Sequence, residues 1–428
     1  MIRFAIVIGL VWLLHVPALA GAGDKLTLRD CIDAAVRNHP SIRAAEGAMN
    51  AAQGRVGQAR SRYFPQLQAA TGYSESHSTN ALGENTTKSA TTSLSLSQSV
   101  YDFGRTGNAL DAARSGMQAA EWDFERVRQN VVLNVKETYY ALLQAERLVT
   151  VAEQTLQQAN RHLAQAQAFF RAGAKPRFDV TRAEVEVNNA RLDVINAKNS
   201  VRVRMISLNN SMGAPPRAPV AIEDVLSVPA AVPGLEEAQA EALARRPEML
   251  KARADVDAAR AQVGAERSGY LPFITASGAY NWNSGTSEAG AFFPKADIGN
   301  SWNAGITLTL PLFEGGLTRA RVSEARANLL AFDAQQDLLR QSVLLDVNQA
   351  YAEIENATAR IEVMDATLKK ARENLDIAQG RYEAGVGAYI EVTDAQLASI
   401  NAETDQVQAL HDYQLAVARL RRAMGRME

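Results

Sequence analysis

The chain has 428 residues, with 45 basic side chains against 47 acidic ones, and a net charge of −2 offers a polyanion such as nucleic acid no field to bind to. Apolar residues make up 47%, which excludes wholesale disorder and supports a large core. Cys31 is the single cysteine, so intrachain disulfides and cysteine-based zinc clusters are excluded.

Residues 1–20 read as a cleaved secretory signal peptide. Arg3 precedes an apolar run from Phe4 to Leu14, and Pro17 leads into the small-x-small triplet Ala18-Leu19-Ala20. The run is shorter than the roughly 20 residues of a membrane helix. Arg29 and Asp30 beside Cys31 are wrong for a lipid-attachment site, so no lipidation is expected. No later apolar run is long enough for a membrane helix, and any membrane crossing falls to strands.

The remainder is one arrangement given twice, over 21–213 and 234–428. Tyr63-Phe64-Pro65 recurs as Tyr270-Leu271-Pro272, an offset of 207 (270 − 63), and Met212-Gly213 recurs as Met424-Gly425, an offset of 212 (424 − 212). The Pro-rich stretch 214–233 joins the copies and reads as a connector rather than a core element.

In chain order, residues 41–62 form a first helix, rich in Ala, Arg and Gln. Two strands follow: Leu67, Ala69, Thr71 and Tyr73 alternate with small or polar residues, as do Leu94, Leu96 and Val100. The segment 76–90 reads as the loop between them. From 105 to 171, apolar residues alternate spacings of three and four, from Leu110, Ala113 and Met117 through Leu156 to Phe170. That is a coiled-coil seam on a helix of roughly 100 Å. An extra step of four, Val127 to Val131 to Val135, is a stutter. A returning seam runs from Val180 to Met212. The second copy gives a helix over 248–269, strands around Ile274–Tyr280 and Ile306–Leu312 with a loop at 284–300, a helix over 317–383 with the stutter at Leu339, Val343 and Val347, and a return from Val392 to Met424. The polar strand face, with Ser93, Ser95, Ser97, Asn303, Thr307 and Thr309, suits a wet lumen. Four strands cannot close in hydrocarbon, so several chains must share one barrel. No catalytic motif such as GxSxG, HExxH or a P-loop occurs, and no metal or cofactor is expected.

The duplicated order of helix, two strands, long helix and return helix, with Leu26-Thr27-Leu28, the two Tyr-x-Pro strand starts and Leu310-Pro311-Leu312-Phe313-Glu314-Gly315-Gly316, resembles the TolC family of outer-membrane efflux and secretion proteins over essentially the whole mature chain. The resemblance implies an α+β membrane protein that assembles as a homotrimer. Its twelve-stranded barrel would sit in outer-membrane lipid and continue into a periplasmic helical barrel. It also implies a non-enzymatic exit duct working with a periplasmic adaptor and an inner-membrane transporter, for small molecules or drugs or, alternatively, for one-step protein secretion. A periplasmic coiled-coil scaffold without a pore is the reading of a different class, and the alternating strands count against it.

The resemblance places the inner tips at Gly173, Ala174, Lys175 and Pro176 and at Gly385, Val386, Gly387 and Ala388, as adaptor-docking turns. It implies a periplasmic gate at Glu391, Asp394, Asp179 and Tyr382, with a ring of carboxylates and a hydrogen bond across to Asp179 from an aromatic residue like Tyr382. Two departures stand out. Gly387 occupies a position where the family often has a basic residue, and Pro176 and Ala388 replace the usual capping Ser or Thr, leaving Asp179 and Glu391 as half a capping box. Glu391 and Asp394 also fit a plainer reading, as helix-start acids complementing the macrodipole.

Overall fold

The computed structural model describes residues 25–80, 83–226, 232–288 and 299–426; the expected signal peptide lies outside them. The elements are α1 (Leu28–Asn38), α2 (Pro40–Ser61), β1 (Gln66–Asn80), β2 (Gly83–Tyr101), α3 (Arg105–Arg171), α4 (Arg177–Ser211), α5 (Leu235–Arg245), α6 (Pro247–Arg267), β3 (Phe273–Glu288), β4 (Asn300–Thr309), α7 (Leu317–Glu383) and α8 (Tyr389–Ala423). The long helices have 67 residues each and the returns 35 each, so the duplicated order is kept to the residue. Contacts divide the described residues into two compact units, one made of those within 1–38, 135–228 and 366–411, the other of those within 39–134, 229–365 and 412–428.

The sheet belongs to the second unit and is a four-stranded antiparallel meander in the order β1-β2-β3-β4. Apart from a register shift between Ser99 and Tyr101 where β2 meets β3, its register holds the alternation in phase across all four strands. Leu67 pairs with Leu96, Leu96 with Gly278 and Gly278 with Ala304; two residues on, Ala69, Leu94, Tyr280 and Trp302 line up. The next residue along gives the other face: Gln68, Ser95, Ala279 and Asn303, then Ala70, Ser93, Asn281 and Ser301. Successive side chains on a strand point to opposite faces, so one face is largely apolar and the other largely small and polar.

The strands overrun the loop expected at 76–90, since β1 pairs with β2 as far as Asn80 and Gly83, and β3 likewise continues through Glu288 into the loop expected at 284–300. The overrun has a physical cause. Polar residues pair across the ladder, Ser74 with Ser89 at 2.8 Å, His77 Nδ1 with Thr86 at 2.9 Å and Lys88 with Glu75 at 3.4 Å, so a segment without apolar alternation still holds strand geometry.

Each strand pair hands over to its long helix through a tight turn. Phe103 and Gly104 take positive φ of 50° and 90°, and Gly315 and Gly316 take 62° and 89°. At the first turn an acid caps the helix, the Asp102 carboxylate accepting from the Thr106 N–H at 2.9 Å, and at the second the Glu314 carboxylate accepts from the Thr318 hydroxyl. Phe103 bears the left-handed conformation that costs Gly315 nothing. Its ring stacks edge-on against Tyr101 at 4.6 Å, and its carbonyl accepts from Ser268 Oγ at 3.1 Å.

The stutters are buried along most of their length, with Val127 and Leu339 half-buried. Val135, Val343 and Val347 are fully enclosed, as the seam expectation requires. In the first unit the Pro-rich connector is packed more firmly than its composition suggests. Val220, Ile222 and Leu226 are buried, Leu26 and Ile222 form a parallel bridge, Tyr139 Oη donates to the Glu223 carbonyl at 2.7 Å, and Arg147 pairs with Asp224 at 2.9 Å. Pro215 and Pro216 lie in a turn closed by the Ala218 N–H on the Pro215 carbonyl at 3.0 Å, and the alternating Val220 and Ile222 that follow find a core.

Candidate functional site

The two inner turns lie in the first unit. After Arg171, Gly173 takes φ of 69°, its N–H bonds the Phe170 carbonyl at 3.0 Å, and the Ala174 N–H bonds that of Phe169 at 2.9 Å. After Glu383, Gly385 takes φ of 78°, bonds Tyr382 at 3.0 Å, and is followed by Val386 bonding Arg381 at 3.1 Å. This double closure satisfies the last carbonyls of a helix and requires a left-handed residue, hence glycine.

The turns then diverge. At the second, the Gly387 N–H also bonds the Arg381 carbonyl, at 2.9 Å. A Cβ on Gly387 would stand 2.9 Å from the Tyr382 backbone nitrogen and 3.0 Å from the Arg381 carbonyl carbon. The turn is wound onto its own helix end, and a basic side chain at this position is sterically excluded. Gly173, Ala174 and Pro176 are exposed at the first tip and Gly385, Val386 and Ala388 at the second, with Lys175 half-buried.

The return helices start unequally. Pro176 is the N-cap of α4 and offers no side-chain bond; with no N–H, it also gives Asp179 nothing to reach back to. Ala388 keeps its N–H, and the Glu391 carboxylate accepts from it at 3.5 Å. Half a capping box therefore operates at the second tip and not at the first.

Of the four expected gate residues, Glu391 is paired within its own hairpin, 3.2 Å from Arg381 Nε. Asp394, one turn on, is exposed. Tyr382 is buried in an apolar cluster with Ala166, Ala183, Leu375, Tyr389 and Val392, and its hydroxyl has no hydrogen-bond partner among the described residues. Among the described residues of one chain the Tyr382 hydroxyl therefore does not make the expected bond to Asp179. Burial pushes the Tyr382 phenol up, and the Asp179 charge pushes it further. What holds the Tyr382 ring is packing against Phe169 at 5.7 Å and Tyr389 at 5.6 Å, and the Lys175 ammonium 5.3 Å from its centroid.

Several working contacts were not read from the sequence. The Tyr389 hydroxyl donates to the Glu186 carboxylate, Arg182 donates to Thr393 Oγ1 at 3.3 Å while lying 5.9 Å from the Tyr389 ring, and buried His162 faces the same ring at 6.5 Å. The signal was available in part. Arg381 and Glu391 are ten residues apart across a turn, a separation that pairs them once the hairpin is drawn. The Glu186–Tyr389 contact joins the two copies of the repeat, and no spacing within either copy announces it.

Both copies match the model of the outer membrane efflux protein family, over residues 31–214 and 239–426. The chain is 29% identical over 407 residues to protein CyaE of Bordetella pertussis, covering 95% of this chain and 84% of that protein. It is 24% identical over 401 residues to outer membrane protein TolC of Escherichia coli, covering 91% and 80%. Among solved structures, a membrane protein from Pseudomonas aeruginosa superposes with a TM-score of 0.80 at 26% identity, covering 93% of this chain and 90% of that one. With both copies matched, and a long helical hairpin fed by two strands in each, the chain belongs to the outer membrane efflux protein family, as a non-enzymatic exit duct of the outer membrane that extends into the periplasm.

Proposed function

We propose that three copies of the chain close their sheets into one twelve-stranded barrel in outer-membrane lipid and pass small molecules or drugs outward, with a periplasmic adaptor on the inner tips and an inner-membrane transporter as the driving partner. The observation that carries the reading is the sheet. Four strands alternate in phase, apolar on one face and polar on the other, and β1 and β4 are edges among the described residues. An open edge is not tolerated in hydrocarbon, and four strands are half the smallest bacterial barrel, so copies must lend each other edges. Three chains leave room for a channel. A second feature supports assembly through the helices: Phe178, Val185 and Leu192 recur every seven residues on α4 and are all more than half exposed.

The same reading takes residues 1–20 as the signal peptide, 21–213 and 234–428 as the two repeats and 214–233 as their connector. It gives Gly173–Pro176 and Gly385–Ala388 to the adaptor, and Glu391, Asp394, Asp179 and Tyr382 to the entrance. Light scattering of the purified chain in detergent tests the assembly: a trimer is expected, and a stable, folded monomer rejects the shared barrel. Crosslinking in cells, followed by identification of the captured inner-membrane transporter, tests the cargo. A proton-driven pump fits drug efflux, and an ATP-driven exporter with a protein substrate replaces that reading with secretion.

A further inference from the structure

In the first unit, beside the aromatic cluster of the tips, a cavity of about 380 Å³ opens between α3 and α7. His162 lines it, is 94% buried by residue area (6% exposed), and has an Nδ1 atom without a hydrogen-bond partner among the described residues. An orphaned polar atom at such depth costs free energy, and a buried position beside a coiled-coil seam would be better served by an apolar residue. The adjoining seam residues Ala159 and Ala166 are buried and Leu163 is half-buried, so the imidazole sits on the border between the apolar seam and the polar wall of the cavity.

Its surroundings set what a proton would do there. On its own helix, Arg161, Gln158 and Gln165 border the cavity, and on α7 Gln379 and Glu383 do so. From α8 comes the Tyr389 ring, 6.5 Å away, and from α4 come Glu186, bonded to the Tyr389 hydroxyl, and Arg182, 5.9 Å from the same ring. Glu383 is the one acid on the cavity wall, against Arg161. The Glu186 carboxylate is already engaged by the Tyr389 hydroxyl.

We propose that His162 is a proton-operated latch: neutral imidazole packs the α3–α4 hairpin against Tyr389 of the α7–α8 hairpin, and acidification of the periplasm releases that packing. Imidazolium would be a charge largely cut off from water with Arg161 beside it, which Glu383 offsets only in part, and its release into water is the favoured outcome. Desolvation by burial and the Arg161 charge both hold the imidazole below its ordinary value of 6.5, with Glu383 opposing. The direction follows from linkage. The packed state binds the proton less well than the opened state, so packing is fully favoured above about pH 6.5 and weakens as pH falls toward the depressed value, by at most about tenfold per pH unit. This latch rests on the reading of the tips as the channel entrance, and its test separates the two.

Hydrogen exchange is measured on the full chain as purified in detergent, at about pH 7.5 and about pH 5.5 and corrected for intrinsic exchange. Segments 156–166 and 375–395 are expected to open up to about tenfold more often at the lower pH in the natural chain and not in His162→Gln or His162→Phe. Equal acceleration in the variants overturns the latch. Should both variants misfold, the natural chain still decides: acceleration confined to those segments supports the latch, and acceleration spread evenly over the sheet and α6, or none, overturns it. Planar-bilayer conductance, recorded in parallel, addresses the entrance. Local loosening without a rise in conductance leaves the latch standing and removes the tips as the entrance.

Discussion

Arg381 Nε lies 3.2 Å from the Glu391 carboxylate, across the turn that joins α7 to α8, so one of the two acids expected to charge the entrance is already matched by a cation of its own hairpin. The pair is about half exposed, and such pairs contribute at most about 1 kcal/mol. Asp394 forms no ion pair among the described residues and is the better candidate for uncompensated charge in a trimeric ring. In planar bilayers, Asp394→Asn is expected to reduce cation preference more than Glu391→Gln does. Arg381→Gln, which uncovers Glu391, should increase it. Selectivity that ignores all three substitutions returns both acids to the role of helix-start residues complementing the macrodipole.

Gly387 carries a second prediction. Because a Cβ there meets backbone at 2.9–3.0 Å, Gly387→Arg is expected to unwind the turn rather than add a cation to it, and Gly387→Ala should do the same in milder form. Proteolysis at the second tip is the readout, and cleavage near 384–388 should rise in both. Arginine accepted with native resistance to protease would show that the turn has a second conformation of similar energy.

The lengths and seams of the long helices were legible because their period is long and unbroken by proline: the residues expected for α3 and α7 are the ones observed. Strand ends were not. Apolar alternation fades after Tyr73, while pairs such as His77 with Thr86 continue the ladder through hydroxyls and a ring nitrogen. Pattern reading sees burial, and an exposed ladder held by polar pairs has little of it. At the tips the positions of Gly173 and Gly385 were legible from the repeat, but the partners of Glu391 and Tyr382 were not, since each depends on which residue the opposite chain segment brings near.

A buried ionic cluster in the second unit gives a pH prediction. Glu248 stands at the start of α6 and is bonded by Arg422 of α8, with Arg246 at 3.2 Å; Arg246 in turn pairs with Asp346 of α7 at 2.8 Å. Burial alone would raise the Glu248 carboxyl, but Arg422 and Arg246 outweigh it and hold it below the ordinary 4.5. A depressed carboxyl contributes stability that is present above pH 4.5 and is lost as pH falls through its folded value. Thermal unfolding of the natural chain should therefore drop steeply below about pH 4.5, and Glu248→Gln should be less stable at neutral pH with a shallower acid limb. Glu248→Ala, which strands two buried cations, should cost about 3–5 kcal/mol. An acid limb of the same steepness in Glu248→Gln would move the acid sensitivity to other carboxylates.

Leu368 and Leu192 occupy seam-like positions of opposite kind, and together they separate folding from assembly. Leu368 on α7 is 5% exposed, enclosed within one chain, whereas Leu192 on α4 is 55% exposed and lies seven residues from Val185 and fourteen from Phe178 on the same uncovered stripe. Leu368→Ala opens a cavity in the packed chain and should cost about 2–5 kcal/mol of stability without altering the stoichiometry. Leu192→Asp meets only solvent in a single chain, so the helix it belongs to should keep its far-ultraviolet circular dichroism. If the stripe packs against a neighbouring copy, the new carboxylate is desolvated there, and the temperature at which trimers dissociate in detergent should fall sharply. The two readouts must part company: helix melting for Leu368, subunit dissociation for Leu192. A Leu192→Asp chain whose trimer dissociates at the natural temperature would leave the α4 stripe facing water and confine assembly to the strand edges.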